Sequence, residues 1–132
     1  MFSYIENNVL TPQGVSVRME YPVRCLIEDA CAAYIVLDVP LGDSVLDNVV
    51  CLSPSGEIAW KISGGFVGLR DAFEEGRLRA DGRLEFWNSD AWAWVDKRDG
   101  KIIAVRAERF GPFPESDGQW DRSDVYFLSN RG

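Results

Sequence analysis

The run Asn48-Val49-Val50-Cys51-Leu52-Ser53-Pro54-Ser55-Gly56-Glu57-Ile58-Ala59-Trp60-Lys61-Ile62 decides how the rest of the chain is read. It is apolar and partly β-branched up to Leu52. After Gly56 it alternates, with Ile58, Trp60 and Ile62 on one side and Glu57, Ala59 and Lys61 on the other. Side chains of a strand point alternately to its two faces, so a period of two marks a half-buried strand. Between the arms, Pro54 presets φ to about −65° and Gly56 accepts φ > 0, which makes Ser53–Gly56 a turn. The stretch is therefore strand, turn, strand.

The same device recurs downstream. Asp81-Gly82-Arg83-Leu84 and Asp99-Gly100-Lys101-Ile102 each set Gly before a charged residue and an apolar β-former, and Asp117-Gly118-Gln119-Trp120 is a looser copy. Asp-Gly between apolar runs predicts a two-residue type I′ hairpin turn. The intervals between Gly56, Gly82, Gly100 and Gly118 are 26, 18 and 18 residues, which suits successive hairpins of a meander better than a fixed module. Asn88 to Asp90 predicts one more tight turn, and the strand after it puts Trp92 and Trp94 on one face with Ala91, Ala93 and Val95 on the other. Upstream, Val15–Met19, Val23–Ile27 and Ala33–Val39 read as strands, the last halted by Pro40 and Gly42; Ser123–Leu128 reads as a final one. Gly68–Glu75 is the one stretch with helical character. The expected fold is mainly β: a single domain over residues 1–132, an antiparallel meander of seven or more strands with at most one short helix.

Composition removes several chemistries. The chain has no histidine, which excludes Ser-His-Asp and Cys-His catalysis, His-ligated zinc and histidine pH switches. Its 14 basic and 21 acidic residues give a net charge of −7, which disfavours phosphate backbones as ligands, so no nucleic-acid partner is expected. Residues 1–66 carry eight acids against three bases, a net −5; residues 67–132 carry thirteen against eleven, a net −2. Cys25, Cys31 and Cys51 form no C-x-x-C pair and are odd in number, so buried reduced thiols are expected instead of a disulfide or zinc framework. The longest apolar run, Ala30–Leu37, is eight residues, and no basic region precedes an apolar segment at Met1. A cytoplasmic chain without membrane contact is the expectation.

Carboxylates need no histidine, but the adjacent pairs Glu28-Asp29 and Glu74-Glu75 would point to opposite strand faces. Asp43 and Asp47 flank the loop after Gly42 without the alternating pattern of a calcium loop. Ser53 and Ser55 lack a Gly-x-Ser-x-Gly elbow, and Ser63-Gly64-Gly65 matches neither a Walker loop nor a dinucleotide fingerprint. No metal or cofactor is expected. Five tryptophans remain: Trp60, Trp87, Trp92, Trp94 and Trp120. Core packing claims most such rings, yet Trp is also a residue of binding hot spots. Were Trp92 and Trp94 to face solvent beside Asp90 and Asp96, they would form an aromatic anchor ringed by acids, suited to a basic protein.

Asn48–Ile62 resembles the inner hairpin of a quinoprotein-type propeller blade, and Ala93–Ile103 is similar but lacks Trp after its turn. The likeness covers about thirty residues. A closed propeller needs four or more blades of roughly 40–45 residues, whereas this length holds three, so the resemblance implies shared hairpin physics and no cofactor-binding residues. In overall type the chain resembles small acidic bacterial immunity proteins that neutralise secreted toxins. That likeness implies a non-catalytic inhibitor of a basic toxin domain such as a nuclease, with Trp92, Trp94, Asp90, Asp96, Asp43 and Asp47 as partner-binding residues. The alternatives are a carboxylate-based hydrolase or lyase drawing on Arg83, Glu85, Asp90 and Asp96, and a structural or oligomerising β module with an open sheet edge.

Overall fold

The computed structural model describes residues 1–40, 45–64, 71–89, 91–107 and 125–127, with the backbone alone described at 107 and 125–127. These residues form twelve strands and no helix: β1 (Ser3–Ile5), β2 (Asn8–Leu10), β3 (Ser16–Arg18), β4 (Val23–Glu28), β5 (Ala33–Leu37), β6 (Val49–Leu52), β7 (Ile58–Lys61), β8 (Glu75–Leu78), β9 (Leu84–Trp87), β10 (Ala91–Val95), β11 (Ile102–Ala107) and β12 (Val125–Phe127). They pair into three antiparallel meanders, β1-β2-β3, β4-β5-β6-β7 and β8-β9-β10-β11-β12, each strand beside its neighbour in sequence. The mainly β, antiparallel fold read from the sequence is the fold observed. Of the stretch with helical character, Asp71–Glu74 is irregular and Glu75 opens β8, while 68–70 lie outside the described residues.

The sheets stack in the order first, second, third. One face of the second sheet packs Ala33, Ile35, Leu37, Val50 and Leu52 against Phe2, Val9 and Met19 of the first sheet and its flanks. Its other face packs Tyr34, Val36, Val49, Cys51 and Trp60 against Leu84, Phe86, Ala93, Val95 and Val105 of the third. Because the middle sheet is covered on both sides, β5 and β6 are buried throughout and read as continuous apolar runs, not alternating ones.

Seams close the second sheet on the third. The Arg24 guanidinium donates to the Glu74 carbonyl at 3.0 Å where β4 meets β8. At the opposite edge Ser63 N donates to Gly100 O at 2.9 Å, and Ile102 N to Ser63 O at 3.0 Å. Asn48, 1% exposed, donates from Nδ2 to the Leu37 and Phe73 carbonyls and accepts from Phe73 N, which pins the irregular segment before β8 to the second sheet.

Turn chemistry is local, as expected, but the turn type differs at Asp81-Gly82 and Asp99-Gly100. In both turns only the glycine has φ > 0. Arg79 N donates to Arg83 O and Gly82 N to Arg79 O, giving a three-residue loop that ends in a left-handed Gly. Asp96 N donates to Lys101 O and Gly100 N to Asp96 O, giving a four-residue loop. A non-Gly residue resists φ > 0, so Asp81 and Asp99 keep ordinary φ and the loops lengthen instead. Asn88 N donates to Ala91 O, closing the tight turn predicted there.

Gly56 and Gly100 hold equivalent places, each at the tip of a hairpin that rests on the preceding sheet. A Cβ on Gly56 would lie 2.6 Å from Val15 Cγ1, and one on Gly100 would lie 2.4 Å from Trp60 Cε3. Each tip therefore needs glycine for its backbone angle and for its neighbour's volume.

Cys51 is buried and Cys25 half-buried, but Cys31 is exposed, because it sits in the turn between β4 and β5. Burial and the Asp29 charge push the Cys51 thiol up to about 11, and burial also raises Cys25. Asp29 caps that same turn. Burial opposes its charge, yet the Cys31 and Ala32 N–H groups, the Tyr34 hydroxyl at 2.9 Å and the Lys97 ammonium at 3.4 Å outweigh it and hold the carboxyl below the ordinary range. The folded state thus takes up this proton less readily than the unfolded one. The stabilisation is complete above the unfolded value of about 3.9 and is lost as pH falls through the folded value. Asp29→Asn is expected to flatten the acid limb of a urea-midpoint profile taken from about pH 6 to about pH 3. Parallel limbs for the two proteins would contradict it.

Candidate functional site

The face of the third sheet that points away from the second carries the most unusual side-chain set in the molecule. Trp87, Trp92, Ile103 and Ala104 form its apolar centre, with Trp94 packed at the side. Cross-strand register sets the polar residues among them: Arg77 lies opposite Glu85, Glu85 opposite Trp94, and Trp92 between Trp87 and Arg106. Alternation in the sequence correctly places Trp92 and Trp94 together, with Ala91, Ala93 and Val95 in the core opposite.

Trp92 does not face solvent. It is 2% exposed, and the Arg77 guanidinium lies 3.8 Å from its ring centroid. Trp94 is half-buried, with the Arg83 guanidinium 5.4 Å from its ring. Each of these two rings thus has a guanidinium against it. A guanidinium over an indole is attracted by the ring quadrupole, more so where water is excluded. Glu85, completely buried, is a carboxylate among them; it accepts from Arg77 Nε at 2.6 Å and lies 3.7 Å from Arg79 Nη1, while Glu75 stands opposite Trp87 on the edge strand. Arg106 is also buried. Beside Trp94 an open recess of about 450 Å³ is lined by Asp81, Gly82, Arg83 and Trp94. Asp81 accepts from Arg83 at 2.6 Å, and that bond holds its carboxyl below the usual range.

Asp96 lies in the turn after β10. It accepts from Arg98 N, Nε and Nη2, and in return raises the Arg98 guanidinium. Asp90 and Asp43 lie outside the described residues. Asp47 is exposed on the segment entering β6, in the second sheet.

Asp47 has acidic company there. The backbone bonds Val23 N to Glu6 O, Asp38 N to Pro22 O and Leu37 N to Asn48 O tie the ends of the first two sheets together, which gathers exposed Glu6, Glu20, Asp38 and Asp47 along one rim. Arg24 meets Asp38, and Lys61 meets Glu20, each at 3.4 Å. Such exposed pairs add little stability, and each cancels its own charge at a distance, so the acidic character of the rim comes chiefly from Glu6 and Asp47. Ile5, 78% exposed beside Glu6, and half-buried Tyr21 beside Glu20 give it apolar contact area.

The residues that sequence reasoning missed are Arg77 and Arg79. Their signal was present as alternation: Arg77-x-Arg79, Arg83-x-Glu85 and Trp92-x-Trp94 all have period two. Reading 68–75 as helical hid the first of the three strands. No protein-family profile matches the sequence, and none of the curated proteins or solved structures compared with it does so either.

Proposed function

We propose that the chain is a non-catalytic protein-binding domain, an immunity-type inhibitor that neutralises a basic toxin domain, a nuclease above all, by covering its cationic surface. The acidic rim of Glu6, Glu20, Asp38 and Asp47 carries this reading. Four exposed carboxylates on adjoining strand ends, two of them offset by Arg24 and Lys61, leave a net negative charge from Glu6 and Asp47 that would steer a cationic partner, which acts chiefly on association rate. Ile5 and Tyr21 supply desolvated contact once the partner has docked, and such contacts set the dissociation rate. The tryptophans then belong to the architecture and to a separate site, and the rim takes the role of the anchor.

The test is titration of the full chain at low salt against basic toxin domains encoded beside it. The triple variant Glu6→Gln, Asp38→Asn, Asp47→Asn is expected to associate about tenfold more slowly and with a flatter salt dependence, while its dissociation rate changes little. Failure of every candidate to bind, or association of the variant at the unaltered rate, would refute the reading.

A further inference from the structure

Among the described residues, two hydrogen-bond donors on the third sheet are buried without an acceptor: Arg77 Nη2 and Trp92 Nε1. They belong to stacked groups, since the Arg77 guanidinium lies on the Trp92 ring. Buried donors in native proteins are nearly always satisfied, so two orphans side by side mark a place where an acceptor belongs. The electrostatics specify what kind. Arg77, Arg79 and Arg83 project from one hairpin, each roughly one-fifth to one-quarter exposed, and Arg106 is buried on the same face. Glu85 and Asp81 are the carboxylates paired with them among the described residues. Among the described residues the face thus carries four guanidiniums, with Glu85, Asp81 and, opposite Trp87 at the sheet's edge, Glu75 as its carboxylates, within a chain of net charge −7.

We propose that this arginine–tryptophan face binds an oxyanion, a phosphate or carboxylate group, which accepts hydrogen bonds from Arg77 Nη2 and Trp92 Nε1. Arg77 is prepared for the task. Its Nε is committed to Glu85 and its plane rests on Trp92, so the guanidinium is held in place and Nη2 is left to donate. A fixed fork loses little freedom when an oxyanion arrives. Farther along the same face, the open recess lined by Asp81, Gly82, Arg83 and Trp94 presents a further guanidinium beside solvent. The proposal stands apart from the acidic rim, and either can fail without the other.

Inorganic phosphate and acetate are the probes, each titrated into the full chain against sodium chloride of equal ionic strength, with thermal midpoint and tryptophan emission as readouts. A saturable response to phosphate, or to phosphate and acetate both, supports the proposal. Phosphate alone points to a free or ester phosphate, whereas both point to carboxylates of a protein as well. Trp92→Phe keeps a ring beneath Arg77 and removes the donor, and is expected to weaken binding about tenfold or more, the loss of one hydrogen bond to a charged acceptor. Arg77→Lys, which keeps the charge and loses the fork, should weaken it comparably and serves if the first variant folds poorly. No saturable response to either anion would mean that water satisfies both donors. Unchanged affinity in both variants would place the anion elsewhere. Either result overturns the proposal.

Discussion

Gly100→Ala is expected to lower the stability of the chain by about 3 kcal/mol and its thermal midpoint by about 10 °C. Two costs add. With φ at +76°, an L-residue there meets the left-handed penalty of about 1–2 kcal/mol. The added methyl then lies 2.4 Å and 2.7 Å from atoms of the Trp60 ring and 2.9 Å from the Lys61 carbonyl, an overlap of the kind that costs about 1–3 kcal/mol. Relief is closed off because Trp60 cannot retreat. Its Nε1 donates to Lys97 O at 2.8 Å, its ring stacks on Tyr34 at 6.0 Å, and it is buried in the core between the second and third sheets. Gly82→Ala is the control. Gly82 has a similar φ of +88°, but a Cβ there meets nothing within 4 Å, so only the backbone penalty applies. Urea denaturation of both variants separates the two costs, and equal losses would show that the tip of the β10–β11 hairpin does not press on Trp60 as described.

The hairpins that the sequence announces most clearly, β6–β7 and β10–β11, were legible because strand period and turn glycines are local properties. Neither β1 nor β2 was, since three residues are too few to display a period. In β8, Glu75-Gly76-Arg77-Leu78 combines a glycine with two charged residues and has little intrinsic strand preference. Its partner makes it a strand: Gly76 admits Phe86, whose ring would lie 2.6 Å from any Cβ at that position. Tertiary context decided there, and no local reading reaches it. The site was half legible for a related reason. Trp92 and Trp94 share a face whatever stands beside them, but their neighbours depend on register. A two-residue Asp81-Gly82 loop would have set Arg77 opposite Phe86. The observed three-residue loop sets it opposite Glu85, and a shift of one residue decides which face a charge occupies. The acidity of the N-terminal half was plain in the composition, whereas its concentration along one rim needed the backbone bonds that join Glu6, Pro22, Asp38 and Asn48.

Glu85→Gln is expected to cost about 3 kcal/mol, although it replaces one atom and keeps the side-chain shape. Glu85 is completely buried and faces Arg77 and Arg79, which are themselves mostly covered. Removing one partner of a buried pair leaves the other charged in a poor solvent, and that uncompensated charge dominates the loss. A stranded charge has a consequence that plain loss of a hydrogen bond lacks. If the stranded guanidinium is the source, Arg77→Met in the Glu85→Gln background should recover part of the stability, because the double variant buries less unpaired charge than the single one. The two changes should then be non-additive by about 1–3 kcal/mol in a double-mutant cycle. Burial also shields the pair from counterions, so the cycle should give nearly the same coupling at low and high salt, unlike the exposed Lys61–Glu20 pair. Strict additivity, or a coupling that vanishes with salt, would mean that Glu85 is solvated in a way its burial denies. The cation-covered tryptophan face would then lack the internal counter-charge that holds Arg77 over Trp92.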